Sequence, residues 1–242
     1  VYKRQVQTRR GELWECDAVV SNGDVLHTYR DLLGDNPVAQ KRARSLSRKG
    51  FSMSLFLIYL GVKKQYPDWE HHTVVFGPRY KGLLEDIFKN GRLPEDFSLY
   101  VHRPTKTDPS LAPQGCDTFY VLAPVAHLGK LKLDWKAEGP AYADRILKYL
   151  DERFLPGLRQ NIETMRLFTP QDFQTELNAH LGNAFSFAPT LIQSAYFRPH
   201  NKDHKIQGLY FVGAGTHPGA GVPGVVNSGK ATASLMLEEL RS

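Results

Sequence analysis

Cysteine is nearly missing from this chain: 2 residues in 242, Cys16 and Cys116. Two isolated thiols build neither a disulfide framework nor the closely spaced ligand set of a zinc site, and they point to a reducing compartment. Long apolar runs are missing as well. The longest, 53–62, falls well short of the ~20 residues a helix needs to cross a bilayer. No basic stretch leads into an apolar one in the manner of a secretory signal. Single-residue tracts and internal repeats are absent, which sets aside collagen-like and coiled-coil readings. With 41% hydrophobic and 23% charged residues, the chain is too apolar for disorder. Common catalytic signatures are also missing: no G-x-S-x-G elbow, no P-loop, no H-E-x-x-H. What remains is a globular chain, soluble or resting at a membrane surface. At roughly 150 residues per domain it makes one large domain or parts of two. Its net charge is +6, from 31 Lys+Arg against 25 Asp+Glu, and its pI is near 9.2.

The middle of the chain has an α+β pattern. Apolar and alternating runs predict strands at 51–61, 72–76, 97–102, 118–124 and 162–168, and helical spacing predicts helices at 81–89, 141–154 and 170–180. The connection 104–115 carries three prolines in its register and is a shaped loop rather than a tight hairpin. Lys41, Arg42, Arg44, Arg48 and Lys49 form the clearest basic run. It is either the solvated face of a helix or a surface for acidic lipid headgroups. Aromatics do not interleave with it as a single-strand stacking platform would require, so nucleic acid is not an expected partner. His71 and His72 are neighbours; on a strand they would face opposite sides and could not share a metal, so no metal site is expected.

The two ends differ in kind. Near the start, a hairpin is predicted with 9–12 as its turn and 13–20 as the returning strand; 1–5 reads as a non-native leader. At the other end, 208–213 is a buried-type strand. A glycine-dense turn follows (Gly213, Ala214, Gly215, Thr216, His217, Gly219, Gly221, Val222, Pro223, Gly224), and then a helix over 225–240. Val225, Val226, Gly229, Ala233, Met236, Leu237 and Leu240 share one stripe of that helix. Gly219-x-Gly221-x-x-Gly224 matches the dinucleotide fingerprint formally, but too few residues follow for the second strand and its acid. The turn is therefore not an ADP-binding βαβ unit. It is a strand, glycine loop and helix N-terminus, which aims free N–H groups and partial positive charge at an anion or electron-rich ring, or else a ligand-free turn.

The tail GLYFVGAGTHPGAGVPGVVNSGKATASLMLEEL, over 208–240, resembles the C-terminal signature of bacterial-type phytoene desaturases, flavoproteins of the amine-oxidoreductase superfamily. The stretches 21–33, 71–80 (HHTVVFGPRY), 95–101, 108–116 and 193–201 (QSAYFRPHN) match the same family, so the resemblance runs from about Val6 to the end. It implies the C-terminal half of a two-domain FAD-dependent oxidoreductase. Residues 6–22 would end the first FAD-domain segment, 23–205 would form a mainly antiparallel substrate domain, and 206–242 would return to the FAD domain. The N-terminal βαβ unit with the ADP-binding glycines is not among these residues, so this segment alone is expected to be inactive and to hold FAD poorly.

The implied activity is desaturation of a C40 polyene hydrocarbon, 15-cis-phytoene to lycopene, with quinone or oxygen as electron acceptor. A C30 desaturase, an isomerase or a reductase are the alternatives within the enzymes, and a lipid- or carotenoid-binding module is the alternative outside them. Gly213, Ala214, Gly215, Thr216, Gly219, Gly221, Val222, Pro223, Gly224 and Val225 would hold FAD, their glycines letting backbone approach the cofactor. No acid stands in the loop for the ribityl hydroxyls, so backbone groups would serve. His217 is the candidate catalytic side chain, with loop ordering as its alternative role. A substrate that dissolves in the bilayer implies a cytoplasmic protein peripherally associated with the membrane, with Lys41, Arg42, Arg44, Arg48 and Lys49 as the contact.

Overall fold

The computed structural model describes residues 5–241; of the expected leader only Gln5 falls within them, and the side chains of Leu240 and Arg241 lie outside them. The chain divides into two compact units. A sheet unit takes Met53–Glu176 and Leu181–Ala184, and an end unit takes residues up to Ser52, Leu177–His180 and those from Phe185 on. Segments 23–52 and 185–205, which the sequence assigned to one substrate domain over 23–205, therefore group with the ends of the chain. The contacts explain it: Tyr29 lies 5.1 Å from Phe211, ring centre to ring centre, and Asp203 N bonds Leu209 O at 2.9 Å.

In the sheet unit, β4 (Ser54–Val62), β5 (His72–Val75), β6 (Leu99–His102), β7 (Asp117–Val125) and β8 (Ile162–Phe168) form one antiparallel sheet in the order β5-β6-β7-β4-β8. Strict alternation along β7 puts Phe119, Val121 and Ala123 on one face. With Phe56, Ile58 and Val101 they cover Tyr142, Ile146 and Leu150 of the helix Trp135–Arg153. That helix starts well before the expected 141. Asp134 caps it, accepting from Lys136 N at 3.0 Å and Ala137 N at 3.3 Å. Pro140 forfeits one backbone bond, and burial of Trp135, stacked 5.6 Å from Phe56, offsets the loss. β4 begins at Ser54 rather than 51 because Phe51 and Ser52 leave the sheet to pair with Phe187 and Ser186. One polar knot interrupts this apolar unit. Asp117 accepts from Arg103 Nε (2.9 Å), Thr105 Oγ1 (2.7 Å) and Tyr66 N (2.8 Å).

In the end unit, β1 (Gln5–Gln7) and β2 (Leu13–Glu15) make the expected hairpin. The returning strand is shorter than 13–20, because Val19–Ser21 turns away as β3 to pair in parallel with β9 (Leu209–Phe211). Two helices over 25–46 were not delimited in the sequence reading, which offered a helix face only as one reading of the basic run. They are α1 (Val25–His27, running on in a wide π turn over Thr28–Leu32) and α2 (Pro37–Leu46). The α2 start was legible locally: Asn36 caps Val38 N and Ala39 N, and Pro37 opens the first turn. Ala39, Ala43 and Leu46 are its buried residues. In the sheet unit, α3 is Tyr80–Glu85 and α4 is Trp135–Arg153; α5 is Pro170–Leu177 and α6, in the end unit, is Val222–Arg241. The stripe expected to bury α6 is not the buried one. Val226 and Leu237 are 67% and 54% exposed, whereas Ser228 and Thr232 are buried. Small hydroxyls dock the helix: Ser228 Oγ accepts from Gly213 N at 2.8 Å, and Thr232 Oγ1 donates to Phe211 O at 2.9 Å.

Candidate functional site

The glycine loop leaves β9 at Val212 and enters α6 at Val222. Gly213, Gly219 and Gly221 sit at φ 99, 136 and 94, where only glycine is unstrained. The sequence reading gave the glycines the task of admitting a cofactor; the contacts assign most of them to the chain itself. A Cβ at Gly213 would lie 2.5 Å from Asn22 Oδ1, one at Gly215 2.6 Å from Val25 Cγ2, and one at Gly219 2.9 Å from Arg198 Nε. Gly224 is pressed on the backbone of Gly219, at 2.7 Å. Gly221 alone among these five opens on free space, with nothing within 4 Å. It borders the first turn of α6, whose leading N–H groups have no acceptor in their own helix. Val222 and Pro223 lie exposed beside it, and Val225 is half-buried. The predicted loop residues thus separate into a packed floor (Gly213, Gly215, Thr216, Gly219) and an open rim (Gly221, Val222, Pro223).

Two residues that the sequence reading left without a role hold the floor. Arg198 is buried, donating through Nη1 to Ala214 O at 2.9 Å and through Nη2 to Phe187 O at 3.1 Å. No carboxylate among the described residues pairs with it, and burial pushes its guanidinium below its usual pKa. Asn201 Nδ2 lies within bonding distance of His217 O (3.0 Å), Thr232 Oγ1 (3.2 Å), Phe211 O (3.3 Å) and Ser228 O (3.4 Å). Thr216 Oγ1 donates to Pro199 O at 2.6 Å, and so does His217 N at 3.0 Å. The only available signal was their place in QSAYFRPHN.

His217 is anchored by its main chain, while its buried Nδ1 has no partner. An orphaned ring nitrogen, an unpaired guanidinium, an open glycine rim and a helix N-terminus all favour a planar, electron-rich or anionic group. The residues present therefore fit a flavin.

In the sheet unit, the face away from α4 is a second candidate surface. Register places His72, His102, Tyr120, Tyr59 and Arg166 in one row across all five strands. Tyr59, Tyr100, His102 and Tyr120 line a cavity of about 590 Å³ with Gly61 and Met165. Tyr59 and Tyr120 rings lie 5.2 Å apart, Tyr100 and Tyr120 6.2 Å. Burial, with Tyr59 and Tyr100 adding to it, pushes the Tyr120 phenol up to about 12, so this phenol is neutral at pH 7; Arg166, which also lines the cavity, pairs with Glu176 at 3.6 Å.

The expectation that His71 and His72 point apart is overturned. β5 begins only at His72, so His71 stands in the preceding bend and escapes strand alternation. Their rings are 4.3 Å apart, and His71 Nε2 reaches His102 Nε2 at 2.9 Å.

Of the basic run, Lys41, Arg42 and Arg44 lie on α2, and Arg48 and Lys49 follow its end. Arg42 approaches Asp203 (3.9 Å) and Lys49 is half-buried over the Phe187 ring. Lys41, Arg44 and Arg48 are exposed, and no ion pair among the described residues includes them. Beside this segment, Gln193 makes two bonds with Gly50, 3.1 Å to its N and 3.0 Å to its O. That ties the end of the run to a loop whose Leu191, Ile192, Tyr196 and Phe197 are 61–91% exposed.

The sequence profile of flavin containing amine oxidoreductases matches residues 2–237. A phytoene desaturase (lycopene-forming) of Pseudescherichia vulneris is 58% identical over 237 residues, 98% of this chain and 48% of the relative. Another, from Paracoccus sp. (strain N81106 / MBIC 01143), is 59% identical over 232 residues, 96% of this chain and 46% of the relative. The chain therefore spans about half the length of the curated relatives it matches. Among solved structures, an oxidoreductase from Methanosarcina mazei aligns with a TM-score of 0.53 at 18% identity, over 93% of this chain and 44% of that one, a likeness of fold. A profile match over nearly its whole length, together with a strand–glycine loop–helix suited to a flavin, makes this chain a member of the flavin containing amine oxidoreductase family.

Proposed function

We propose that this chain is the substrate-handling and flavin-closing part of an FAD-dependent desaturase that converts 15-cis-phytoene to lycopene. The observation that carries the reading is the pairing of two features within one family member. One is a cation-backed glycine loop at a helix N-terminus, and the other a tyrosine-lined cavity on the sheet face away from α4. Bound FAD supplies hydride acceptance, with quinone or oxygen as the final acceptor. Gly221, the rim at Val222 and Pro223, and the first turn of α6 would hold the flavin, and Arg198 behind Ala214 would balance negative charge there. His217 would order the loop through its backbone bonds. Tyr59, Tyr100 and Tyr120 would wall an apolar chain that offers nothing to hydrogen-bond, so shape rather than polar contact would select it. The names of the relatives support lycopene as product. The test is to incubate the protein, expressed at its natural length with FAD, with phytoene in liposomes. Lycopene on chromatography is expected; a C30 substrate turned over in preference, or a flavin-free protein, would overturn the reading.

A peripheral membrane position in the cytoplasm is part of this proposal. Lys41, Arg44 and Arg48 would meet anionic headgroups, and the neighbouring Leu191, Ile192, Tyr196 and Phe197 would enter the interface, a basic–apolar pairing that suits a bilayer surface. No helix among the described residues is long and apolar enough to cross a membrane. Vesicle binding is expected to fall with salt and with Ile192→Asp; binding indifferent to both would exclude this surface.

A further inference from the structure

Three imidazoles converge at one edge of the five-stranded sheet. His72 opens the edge strand β5, His102 ends β6 directly opposite it, and His71 curls back from the bend before β5. One ring nitrogen from each lies within 4.8 Å of the other two. Two imidazole nitrogens 2.9 Å apart, as His71 Nε2 and His102 Nε2 are, cannot both present lone pairs: a proton or a cation has to lie between them. We infer that His71, His72 and His102 form a site for a divalent cation of the zinc class, with water in the fourth position.

The geometry is close to what such an ion needs. Zn–N bonds of 2.0–2.1 Å in a tetrahedron place nitrogens about 3.3–3.4 Å apart, so His71 and His102 open by a few tenths of an ångström while His72 closes in. Each of the two adjacent histidines is also held from behind. His71 Nδ1 bonds Thr107 Oγ1, and His72 Nδ1 bonds Tyr100 OH at 2.7 Å. Outer partners of this kind fix ring orientation and tautomer in metal sites. The group contains no carboxylate, which disfavours Mg²⁺ and Ca²⁺ and suits the nitrogen-seeking metals. Bound metal would staple the exposed edge of the sheet to the segment bearing Thr107. It would also fix His102 where it lines the aromatic cavity.

The test uses the natural-length protein with any polyhistidine tag removed, stripped by chelator and titrated with Zn²⁺, and with Co²⁺ for its visible spectrum. One equivalent bound, a tetrahedral Co²⁺ spectrum and a rise in Tm with metal are expected. Affinity should drop tenfold or more in His72→Ala and in His102→Gln, the second keeping a polar side chain of similar reach. Thr107→Val should weaken binding by roughly tenfold through the lost outer partner. Mg²⁺ should not compete, and His200→Ala, remote in sequence and in the other unit, should bind as the parent does. Circular dichroism confirms that each variant is folded. No saturable Zn²⁺ binding by the folded parent, or unchanged binding in both folded variants, overturns the site and leaves a proton-shared imidazole cluster.

Discussion

The two units are held together by different chemistry. The sheet unit is an apolar sandwich of one sheet face against α4, with Asp117 and its partners as its one strong polar knot. The end unit keeps its short parallel pair, its glycine loop and α6 in place through side chains bonded to backbone. Arg198, Asn201, Asp203, Ser228 and Thr232 are all buried and all engaged with the chain around β9. Hydrophobic burial is non-directional and forgives small rearrangements, whereas hydrogen bonds to loop carbonyls fix atoms to fractions of an ångström. Under the proposed function, the first would suit a surface that accepts a featureless hydrocarbon, and the second a loop that meets a rigid ring.

The largest effect expected is in the apolar unit. Phe56→Ala removes a fully buried ring packed on Trp135 and Tyr142, and should cost about 3–5 kcal/mol in urea unfolding. If proteolysis shows the glycine loop opening at the same denaturant concentration as the sheet, the two units are not independent and the contrast fails. Next is Asn201→Leu, which strips several acceptors of their donor. A loss of about 2–3 kcal/mol is expected, together with flavin release from the natural-length protein while the sheet stays protected from hydrogen exchange.

Asp203 gives a pH signature. Burial alone would raise its carboxyl, but bonds from Tyr29, Lys205 N and Ile206 N, with Arg42 nearby, hold it below the usual range. A carboxyl lowered in the fold stabilises above its unfolded pKa, and that contribution is lost as pH falls through the folded value. Stability should therefore be level near neutrality and decline below about pH 4, and Asp203→Asn should flatten that decline while costing about 1–3 kcal/mol at pH 7. Gly221→Ala should cost about 1–2 kcal/mol from its positive φ, with no clash, yet weaken flavin retention more than stability. The smallest effect is Gly229→Ala on α6. Its Cβ meets nothing within 4 Å, so a gain of roughly 0.5–1 kcal/mol is expected in thermal unfolding.

The comparison also sorts what was readable beforehand. Strands β6 and β7 follow from period-two patterning because their buried faces demand it. The start of α4 was hidden by Pro140, since the cap at Asp134 and the burial of Trp135 outweigh a local breaker. The stripe on α6 misled because apolar spacing shows which face could be buried, while Ser228 and Thr232 dock by hydrogen bonds that periodicity does not register. Arg198 and Asn201 had no pattern of their own: a guanidinium becomes a loop support only when a carbonyl from a distant segment is brought to it.

By itself, then, the sequence determined the α+β class, the family resemblance, and the strand–glycine loop–helix with its partial positive charge. These rest on local periodicity, turn chemistry and motif, all written within a few tens of residues. Tertiary structure alone decided that Gly213, Gly215 and Gly219 make room for Asn22, Val25 and Arg198. It also brought three histidines from two segments to one point, where strand alternation had set them apart. Such meetings depend on register between strands and on where each strand starts, and a one-residue change in either moves a side chain to the opposite face.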